Sequence, residues 1–255
     1  MDEQISSNKR RSAVLIFAFV AVVVIVVGAI AALLGAGIVG LIVVLVIAAA
    51  ASFAAYWTSD ALALAIVRAR PADPEQHPRL HNIIEGLCIA SGLPKPRVYV
   101  IEDAAPNAFA IGRNPRHAAI AVTTGLLDKL SRIELEAVLA HELSHVKNYD
   151  TLVSTVAVTL VGLPAVVLRP VFGPVVPLAV GRTREGSADL NGVSLTRYPP
   201  GLISALEKLE ADTAVVHSNS RATAHLWIES PFERFNRRFD TQPPLDERIK
   251  VLKEL

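Results

Sequence analysis

The sequence predicts an α+β fold that is mainly helical, with one small sheet, preceded by a transmembrane helical hairpin. Three observations favour this fold: a long uncharged apolar run near the N-terminus, three short β-leaning runs in the middle, and helical apolar spacing elsewhere. The chain has 255 residues and a formal net charge of +1. It has no basic patch with interleaved aromatic residues, so nucleic acid is not expected as a partner.

The apolar run lies between Arg11 and Asp60 and contains no charged residue over 48 positions. One bilayer crossing needs about 20 apolar residues, so the run is too long for one span and suits two. Gly35-Ala36-Gly37 divides it into predicted spans at about 13–34 and 38–57, joined by a very short turn. A cleaved signal peptide is disfavoured, because its apolar region would be far shorter.

Basic residues flank the hairpin on both sides and are absent from its turn: Lys9, Arg10, Arg11, Arg68, Arg70 and Arg79. By the positive-inside rule, both ends of the hairpin lie in the cytoplasm. The single cysteine, Cys88, excludes an intrachain disulfide and agrees with a reducing compartment. We therefore expect a multi-pass protein of the cell inner membrane, with the hairpin at 1–60 and a cytoplasmic domain at 61–255.

The domain after the hairpin begins with one helix and three strands. Leucine and isoleucine spacing predicts an amphipathic helix at His77–Gly92. Arg97–Ile101 is a short strand of valine and tyrosine, and Asn107–Gly112 and Ala118–Thr124 are two further β-leaning runs. The segment Arg113-Asn114-Pro115-Arg116 marks a turn between the last two runs. These runs predict a small sheet just before the next helix.

The next predicted helix carries the sequence H-E-x-x-H. Ser131 and Glu134 form the S-x-x-E capping box that opens it. His141 and His145 are four positions apart, about 40° around a helix axis, so both project from one face, one turn apart. Two imidazoles placed in this way suit a tetrahedral Zn²⁺ site. Glu142 lies beside the first of them, where its carboxylate takes a proton from a metal-activated water rather than binding the metal.

Two histidines leave a zinc site incomplete, so a third ligand is needed. Glu185 and Asp189 are spaced i, i+4 on one face of a further predicted helix. Glu185 is the candidate third ligand of one zinc ion per chain, and Asp189 is the candidate hydrogen-bond acceptor for a ligand imidazole. A third histidine six residues past the second would indicate a different ligand set, but position 151 is threonine. Three other carboxylates follow an ordinary amphipathic pattern and are interpreted as surface charge: Glu207, Glu210 and Asp212.

The strands before the predicted zinc helix include a candidate binding edge for substrate. In zinc peptidases an edge strand beside the metal commonly pairs with an extended substrate main chain. We expect that edge at Asn107, Ala108 and Phe109 and in the run 117–124. His117 is interpreted as an exposed residue at a strand end rather than a ligand. The histidines at positions 217 and 225 lack a partner at ligand spacing and are interpreted as structural or surface residues.

These motifs together resemble the HtpX family of membrane-bound zinc metalloproteases, relatives of the CAAX prenyl proteases. The resemblance rests on the N-terminal hairpin and on four segments: P-N-A-F-A at 106–110, H-E-L-S-H-V-K-N-Y-D at 141–150, E-G-S-A-D at 185–189 and P-P-L-D-E-R-I at 243–249. It covers nearly the whole chain. It implies a gluzincin-type zinc peptidase fold with one zinc ion, and endopeptidase action on misfolded or damaged membrane proteins at the cytoplasmic face. Asp150 matches an acidic residue of the family that is expected to steady the helix end and nearby loops.

The chain departs from the family pattern in three places. A tyrosine usually follows the third ligand, where this chain has Gly186, a poor helix former that weakens a helix by around 1 kcal/mol. The family's closing segment usually reads H-P-P, whereas here Gln242 precedes the two prolines, so the Gln242 amide or the Arg248 guanidinium is the expected oxyanion donor. The apolar insertion at about 151–181 is shorter than in many relatives and holds four prolines. We therefore expect a membrane-dipping or surface-packed helical hairpin there rather than two spans.

These features predict a zinc-dependent metalloendopeptidase, anchored in the lipid bilayer, that acts in quality control on membrane proteins or unfolded polypeptides. The alternative is a catalytically impaired adaptor or regulator that retains the fold, and only Gly186 and Gln242 favour it. Prenyl-protein processing would need a large intramembrane chamber, which two N-terminal spans cannot enclose. The sequence indicates no particular oligomeric state, trigger or cleavage preference.

Overall fold

The computed structural model describes residues 2–35, 37–162, 183–214, 216, 226–228 and 243–255. Its first part is a pair of long helices, α1 (Asp2–Leu33) and α2 (Gly37–Ile66). The turn between them uses Gly35 and Gly37 with φ of 63° and 62°, which glycine adopts without steric cost. α1 begins earlier, and α2 ends later, than the spans predicted from the sequence. Among the described helices, none combines the length and the apolar character of a bilayer crossing.

The end of α2 belongs to the core of the following domain. Ala63 and Leu64 of α2, and Val67 directly after it, are buried and pack against one face of the sheet. The carboxylate of Asp60 forms an ion pair with Arg97, at the start of a strand. Because α2 runs through this region without a break, one continuous helix joins the hairpin to the domain.

The sheet has four strands in the described part of the chain: β1 (Arg70–Pro71), β2 (Arg97–Ile101), β3 (Ala108–Gly112) and β4 (Ala118–Thr123). Their order is β1-β2-β4-β3, with β2 and β4 parallel and the other two pairs antiparallel. The three predicted strands are therefore confirmed. The turn before β4 is a 3₁₀ helix (Pro115–His117) capped by the side chain of Asn114.

The position of β4 corrects one prediction about the substrate edge. β4 has a partner strand on each side, and all six of its residues are buried. The run 117–124 is therefore the centre of the sheet rather than an edge, because its backbone groups are used by β2 and β3. β3 is the outer strand beside it, as the other candidate edge at residues 107–109 requires.

Side chains alternate between the two faces of the sheet. One face packs in the same core as α3 (Pro78–Ser91) and α5 (Arg132–Lys147): Val98, Val100, Ala108, Ala110, Ala118, Ile120 and Val122. The other face packs with the end of α2 and with Trp227: Ile101, Phe109, Ile111, Ala119 and Ala121. Both faces are buried at β3 and β4, which explains why these two strands are almost wholly apolar instead of alternating with polar residues.

The remaining described helices are α4 (Thr124–Lys129), α6 (Asp150–Gly162), α7 (Thr183–Thr196), α8 (Pro199–Ala211) and α9 (Leu245–Lys253). The predicted helix at 77–92 is confirmed as α3, which Gly92 ends in the left-handed conformation with φ of 70°. The E-x-x-x-D segment is helical, as predicted, within α7. α6 covers the start of the predicted hairpin at 151–181, and residues 163–182 lie outside the described residues.

The N-terminus of α5 is fixed by a confirmed capping box. Ser131 Oγ accepts a hydrogen bond from the backbone N–H of Glu134, and the Glu134 carboxylate accepts one from the backbone N–H of Ser131. This buried carboxylate also accepts hydrogen bonds from Ser204 Oγ (2.5 Å) and Lys208 Nζ (2.7 Å) of α8. Burial acts to raise the pKa of Glu134, but the hydrogen bonds from Lys208 and Ser204 outweigh it and lower the pKa to about 2.

Replacing Glu134 by alanine should destabilise the fold by about 2 kcal/mol, because a capping box and a charge-assisted hydrogen bond are lost together. A carboxylate with a lowered pKa stabilises the fold fully above its ordinary value of 4.5 and loses that contribution as the pH falls towards 2. The difference in unfolding free energy between wild type and Glu134→Ala should therefore shrink over that window. Urea unfolding in detergent, followed by circular dichroism, measures it.

Glu136→Ala is the matched control for this experiment. Glu136 lies on the same helix, is half-buried, and makes no hydrogen bond or ion pair with the described residues. Equal destabilisation by the two variants at neutral pH would contradict the role given to Glu134.

Candidate metal centre

The motif residues of α5 lie on the face that α7 covers. His141, Glu142 and His145 are buried, with 0%, 1% and 7% of their surfaces exposed. α7 approaches α5 closely at Gly192, where a Cβ atom would lie 2.9 Å from the backbone nitrogen of His141. A side chain there would push the helices apart, so glycine permits the contact. The close approach brings Glu185 of α7 to the two histidines.

Three ligand atoms converge in this buried space. His141 Nε2 and His145 Nε2 are 3.2 Å apart, and Glu185 Oε2 lies 3.4 Å from the first and 3.6 Å from the second. In a tetrahedral site with metal–ligand bonds of about 2.0–2.1 Å, ligand atoms are about 3.3 Å apart. Glu185 Oε2 makes no hydrogen bond within the described residues, and a buried acceptor without a partner costs free energy. The three residues therefore fit one metal ion.

The other ring nitrogen of each histidine faces a carboxylate. His145 Nδ1 is 3.0 Å from Asp150 Oδ2. His141 Nδ1 is 2.8 Å from Asp189 Oδ1. A carboxylate on that side favours a proton on Nδ1, so the lone pair of each Nε2 is turned towards the shared space. The two carboxylates thus set the tautomers that a metal ion needs.

Two contacts with the ligands were not predicted from the sequence, because Asp150 was expected only to steady the helix end and nearby loops and Arg184 was given no role. Asp150 follows Tyr149, whose φ of 60° is left-handed, and this turn folds the carboxylate back onto His145. Helical spacing does not place it there. Arg184 precedes Glu185 in α7, and its Nε and Nη2 both lie 3.1 Å from Glu185 Oε1. Adjacent helical residues normally point to different sides of the helix, so the sequence did not predict a contact between Arg184 and Glu185.

Arg248 of α9 forms a buried ion pair with Asp189. Its Nε and Nη2 donate to the two carboxylate oxygens of Asp189 at 2.8 and 2.7 Å, a bidentate pair. Its Nη1 donates to the backbone carbonyl of Ile228 at 3.2 Å and lies 3.8 Å from Glu185 Oε2. The guanidinium is therefore engaged with protein groups on all three nitrogens. Its predicted role as an oxyanion donor stays a prediction, and Gln242 lies outside the described residues.

The charges around the histidines are predominantly negative. Burial acts to raise the pKa of Glu185, but His145 and a neighbouring arginine outweigh it and lower that pKa well below its ordinary value. Burial also acts to raise the pKa of Asp189, but Arg248 outweighs it and lowers that pKa to about 2. For His145, burial acts to lower the pKa, but Glu185 and Asp150 raise it to about 10. Such surroundings favour a cation between the imidazoles.

Glu142 stands apart from the three converging ligands. Its Oε2 is buried and makes no hydrogen bond within the described residues. Burial raises the pKa of this carboxyl group above its ordinary value. A buried carboxyl group with a raised pKa and an unused acceptor suits proton transfer rather than structural pairing.

The outer strand β3 packs against α5 and carries the predicted substrate edge. In an antiparallel pair, alternate residues turn their N–H and C=O groups away from the partner strand. On β3 these residues are Ala108, Ala110 and Gly112. The C=O of Ala108 accepts a hydrogen bond from Ile228 N–H at 3.0 Å, and Gly112 N–H donates to Thr155 Oγ1 at 3.1 Å. Part of this edge is therefore covered by the chain itself.

A buried H-E-x-x-H helix, a carboxylate from a second helix and a small sheet beside them define a metallopeptidase. The sequence profile of peptidase family M48 matches residues 74–255. The chain belongs to this family. The predicted enzyme class, a metalloprotease that hydrolyses peptide bonds, is thereby confirmed.

Several relatives that match most of the chain are named protease HtpX homolog. A protease HtpX homolog from Thermoanaerobacter pseudethanolicus is 42% identical over 242 residues, covering 80% of this chain and 81% of the relative. Another, from Dictyoglomus thermophilum, is 36% identical over 283 residues, covering 98% of this chain and 93% of the relative. The predicted resemblance to the HtpX family is confirmed. Among solved structures, Ste24p of S. mikatae shares the fold, with a TM-score of 0.51 at 16% identity over 99% of this chain and 67% of that chain.

Replacing Arg248 by methionine should destabilise the fold by about 3–5 kcal/mol or prevent folding, because it leaves the carboxylate of Asp189 buried without its ion pair. Lys253→Met is the control on the same helix, since Lys253 pairs with Glu207 at the exposed surface. Losing an exposed pair should cost less than about 1 kcal/mol. Chemical unfolding of both variants in detergent makes the comparison, and similar losses would refute the importance of the buried pair.

Proposed function

We propose that this chain is a membrane-anchored zinc endopeptidase that cleaves misfolded or damaged membrane proteins at the cytoplasmic face. The observation that carries the chemistry is the convergence of three ligand atoms, 3.2 to 3.6 Å apart, beside a buried carboxyl group. The observation that supports the membrane anchor is the apolar surface exposed by α1 and α2.

His141, His145 and Glu185 are the proposed ligands of one zinc ion per chain, with Asp189 and Asp150 orienting the two imidazoles. Imidazole nitrogen and carboxylate oxygen are ligands that zinc prefers, and three protein ligands leave the fourth position open. A zinc ion held there supplies a water of lowered pKa and a Lewis acid that polarises the substrate carbonyl. The spacing of the three ligand atoms supports this assignment.

Glu142 is the proposed general base. It takes the proton of the attacking water on its buried Oε2 and returns that proton to the leaving amine when the peptide bond breaks. The neighbouring carboxylates are already engaged, since Asp189 binds Arg248 and Asp150 accepts a hydrogen bond from Asn8. Glu142 is therefore the carboxyl group beside the ligands that is free for proton transfer within the described residues.

The substrate is proposed to add its main chain to the outer edge of β3 beside Asn107, Ala108 and Phe109. Of these residues Ala108 turns outward, and substrate pairing there would displace Ile228 from its carbonyl. Support comes from the place of β3 as an outer strand packed on the helix that carries the histidines. The oxyanion donor is proposed to be the guanidinium of Arg248 or the amide of Gln242. The positive charge of Arg248, 3.8 Å from Glu185 Oε2, supports the first of these. To donate to the oxyanion, its Nη1 would give up the hydrogen bond to the Ile228 carbonyl.

The hairpin is proposed to lie in the bilayer. Large apolar side chains are exposed along both helices: Val14, Phe17, Ile25, Leu33, Ile38, Val39, Ile47 and Phe53. Soluble proteins rarely expose contiguous apolar surface of this extent. The basic residues that flank the hairpin support an orientation with the N-terminus and the peptidase domain in the cytoplasm. Cytoplasmic loops and ends of membrane proteins are then the substrates within reach.

A catalytically impaired adaptor is the weaker reading. Of the two departures that favour it, Gly186 lies inside α7, which continues through it without a break. A Cβ atom there would meet nothing within 4 Å, so the packing around α7 is indifferent to this glycine. An adaptor has no need of a general base, and the buried Glu142 beside the ligands supports the enzyme instead.

Glu142→Gln should abolish peptide cleavage while the zinc content stays near one ion per chain, because Glu142 moves a proton and binds no metal. Glu185→Ala should abolish cleavage and also weaken zinc retention, because a ligand is lost. Elemental analysis after dialysis against a chelator, together with cleavage of a denatured protein by the purified full chain, separates the two. Zinc loss from Glu142→Gln, or full retention by Glu185→Ala, would overturn these roles.

Reporters of membrane orientation should give the same answer at both ends of the chain. A reporter at the N-terminus and one after Leu255 should be cytoplasmic, and one inserted at residues 35–37 should be external, because the flanking basic residues stay inside. Alkaline phosphatase and green fluorescent protein fusions in cells make this measurement. An external C-terminal reporter would show that the peptidase domain faces the other side.

A further inference from the structure

Asn8, near the start of α1, is a buried polar residue that the proposed mechanism does not use. It is 7% exposed, whereas its neighbours Lys9 and Arg10 are exposed. Its side-chain Nδ2 donates to Asp150 Oδ1 at 2.6 Å and to the backbone carbonyl of Asn148 at 3.0 Å. A buried amide needs partners for its N–H groups, and both donors are used here.

Asp150 connects this amide to the ligand set. Its Oδ1 accepts the hydrogen bond from Asn8, and its Oδ2 lies 3.0 Å from His145 Nδ1. We propose that Asn8 is a positioning residue for His145, which it orients by fixing the carboxylate of Asp150. The proposal rests on the proposed function, since it assigns Asn8 to the zinc centre.

The physical reason is the freedom of the carboxylate. With only Oδ2 engaged, the carboxylate of Asp150 can turn about its Cβ–Cγ bond, and the imidazole of His145 can turn with it. The hydrogen bond at Oδ1 closes off that rotation. Losing a direct partner of a metal ligand typically costs about 10- to 100-fold in metal affinity. Asn8 acts one contact further out, so the lower end of that range is expected.

The start of α1 also holds the backbone next to Asp150. Asn148 is the C-cap of α5, and its carbonyl accepts a hydrogen bond from Asn8. Tyr149 follows in a left-handed conformation with φ of 60°, and Lys9 Nζ lies 4.5 Å from the centre of its ring. Three consecutive residues at the corner between α5 and α6 are thus contacted by adjacent residues of α1.

This arrangement gives the N-terminal hairpin a part in the metal centre. Asn8 is 142 positions away from Asp150 in the chain, and α1 packs along α6, which begins at that aspartate. α6 also presents Ser154, whose Oγ accepts a hydrogen bond from Arg184, the partner of Glu185. The helix that begins the chain therefore supports two of the three ligands through the elements it touches.

The test compares Asn8→Ala with Ser12→Ala in the purified full chain in detergent. Ser12 lies one turn along the same helix, is 2% exposed, and its Oγ has no hydrogen-bond partner among the described residues. Asn8→Ala should lose zinc to a competing chelator at about 10-fold lower chelator concentration than wild type. Its kcat should fall by a similar factor with KM unchanged, and Ser12→Ala should stay within about 2-fold of wild type in both.

A double-mutant cycle tests whether Asn8 acts through Asp150. Asp150→Ala alone should weaken zinc retention, and adding Asn8→Ala should weaken it no further, because the link is already broken. Independent effects that multiply would overturn the proposal, and so would an Asn8→Ala variant that behaves like Ser12→Ala. Asn8→Leu keeps the volume without either donor, so it replaces Asn8→Ala if that variant does not fold.

The same measurements separate this proposal from the proposed function. Wild-type protein that retains no zinc and cleaves nothing would refute the zinc peptidase itself. Wild-type protein that retains zinc and cleaves, with Asn8→Ala and Asn8→Leu unchanged in both properties, would refute only the role of Asn8. A drop in thermal stability of Asn8→Leu without a change in zinc retention or kcat would identify a purely structural residue and would also refute that role.

Discussion

Three electron-rich atoms held 3.2 to 3.6 Å apart in a buried space are the constraint on which the rest of this structure depends. The lone pairs of two imidazoles and one carboxylate oxygen repel one another in a medium of low polarity, and without a cation the arrangement is unfavourable. The arrangement is maintained because each ligand side chain contacts a second residue through its other polar atom. The positions of the three ligands are thus determined by the residues that surround them.

Each ligand has such a partner, and each partner is fixed in turn by another element. The Asp189 carboxylate contacts the imidazole of His141 and forms a bidentate ion pair with Arg248 of α9. Asp150 holds His145 and is bound by the N-terminal helix. Arg184 donates a hydrogen bond to Glu185 and another to Ser154 of α6. α9, α1 and α6 come from distant parts of the chain, so the geometry of the site depends on the whole tertiary structure and not only on the two helices that carry the ligands.

Local periodicity explains which features were predictable from the sequence. The capping box at Ser131, the H-E-x-x-H pair and the E-x-x-x-D pair all follow helical spacing, and the structure has each of them on a helix as expected. The strands were also recognisable by their apolar runs. Their order was not, because similar apolar runs do not reveal which of them has a partner on both sides, and the run at 117–124 was wrongly placed at an edge.

No short-range sequence pattern predicts the contacts that the sequence analysis missed. Asp150 reaches His145 only because Tyr149 adopts a left-handed conformation. Ile228 covers Ala108 across a large separation in the chain, and a hydrogen bond between a strand edge and a distant segment leaves no spacing rule in the sequence. Such contacts are decided by packing, and they determine how the predicted ligands are oriented.

The unbroken course of α2 constrains its own length. A helix turns by about 100° and rises by about 1.5 Å with each residue. Since the end of α2 is fixed in the core of the peptidase domain, one residue inserted near its middle would swing the upstream half, and α1 with it, by about a quarter of a turn. The start of α1 would then face away from the corner between α5 and α6. Insertions of about seven residues, close to two full turns, restore the rotational phase but shift the hairpin by about 10 Å along the axis. The number of residues in α2 is thus a structural parameter in its own right, distinct from the identity of any of them.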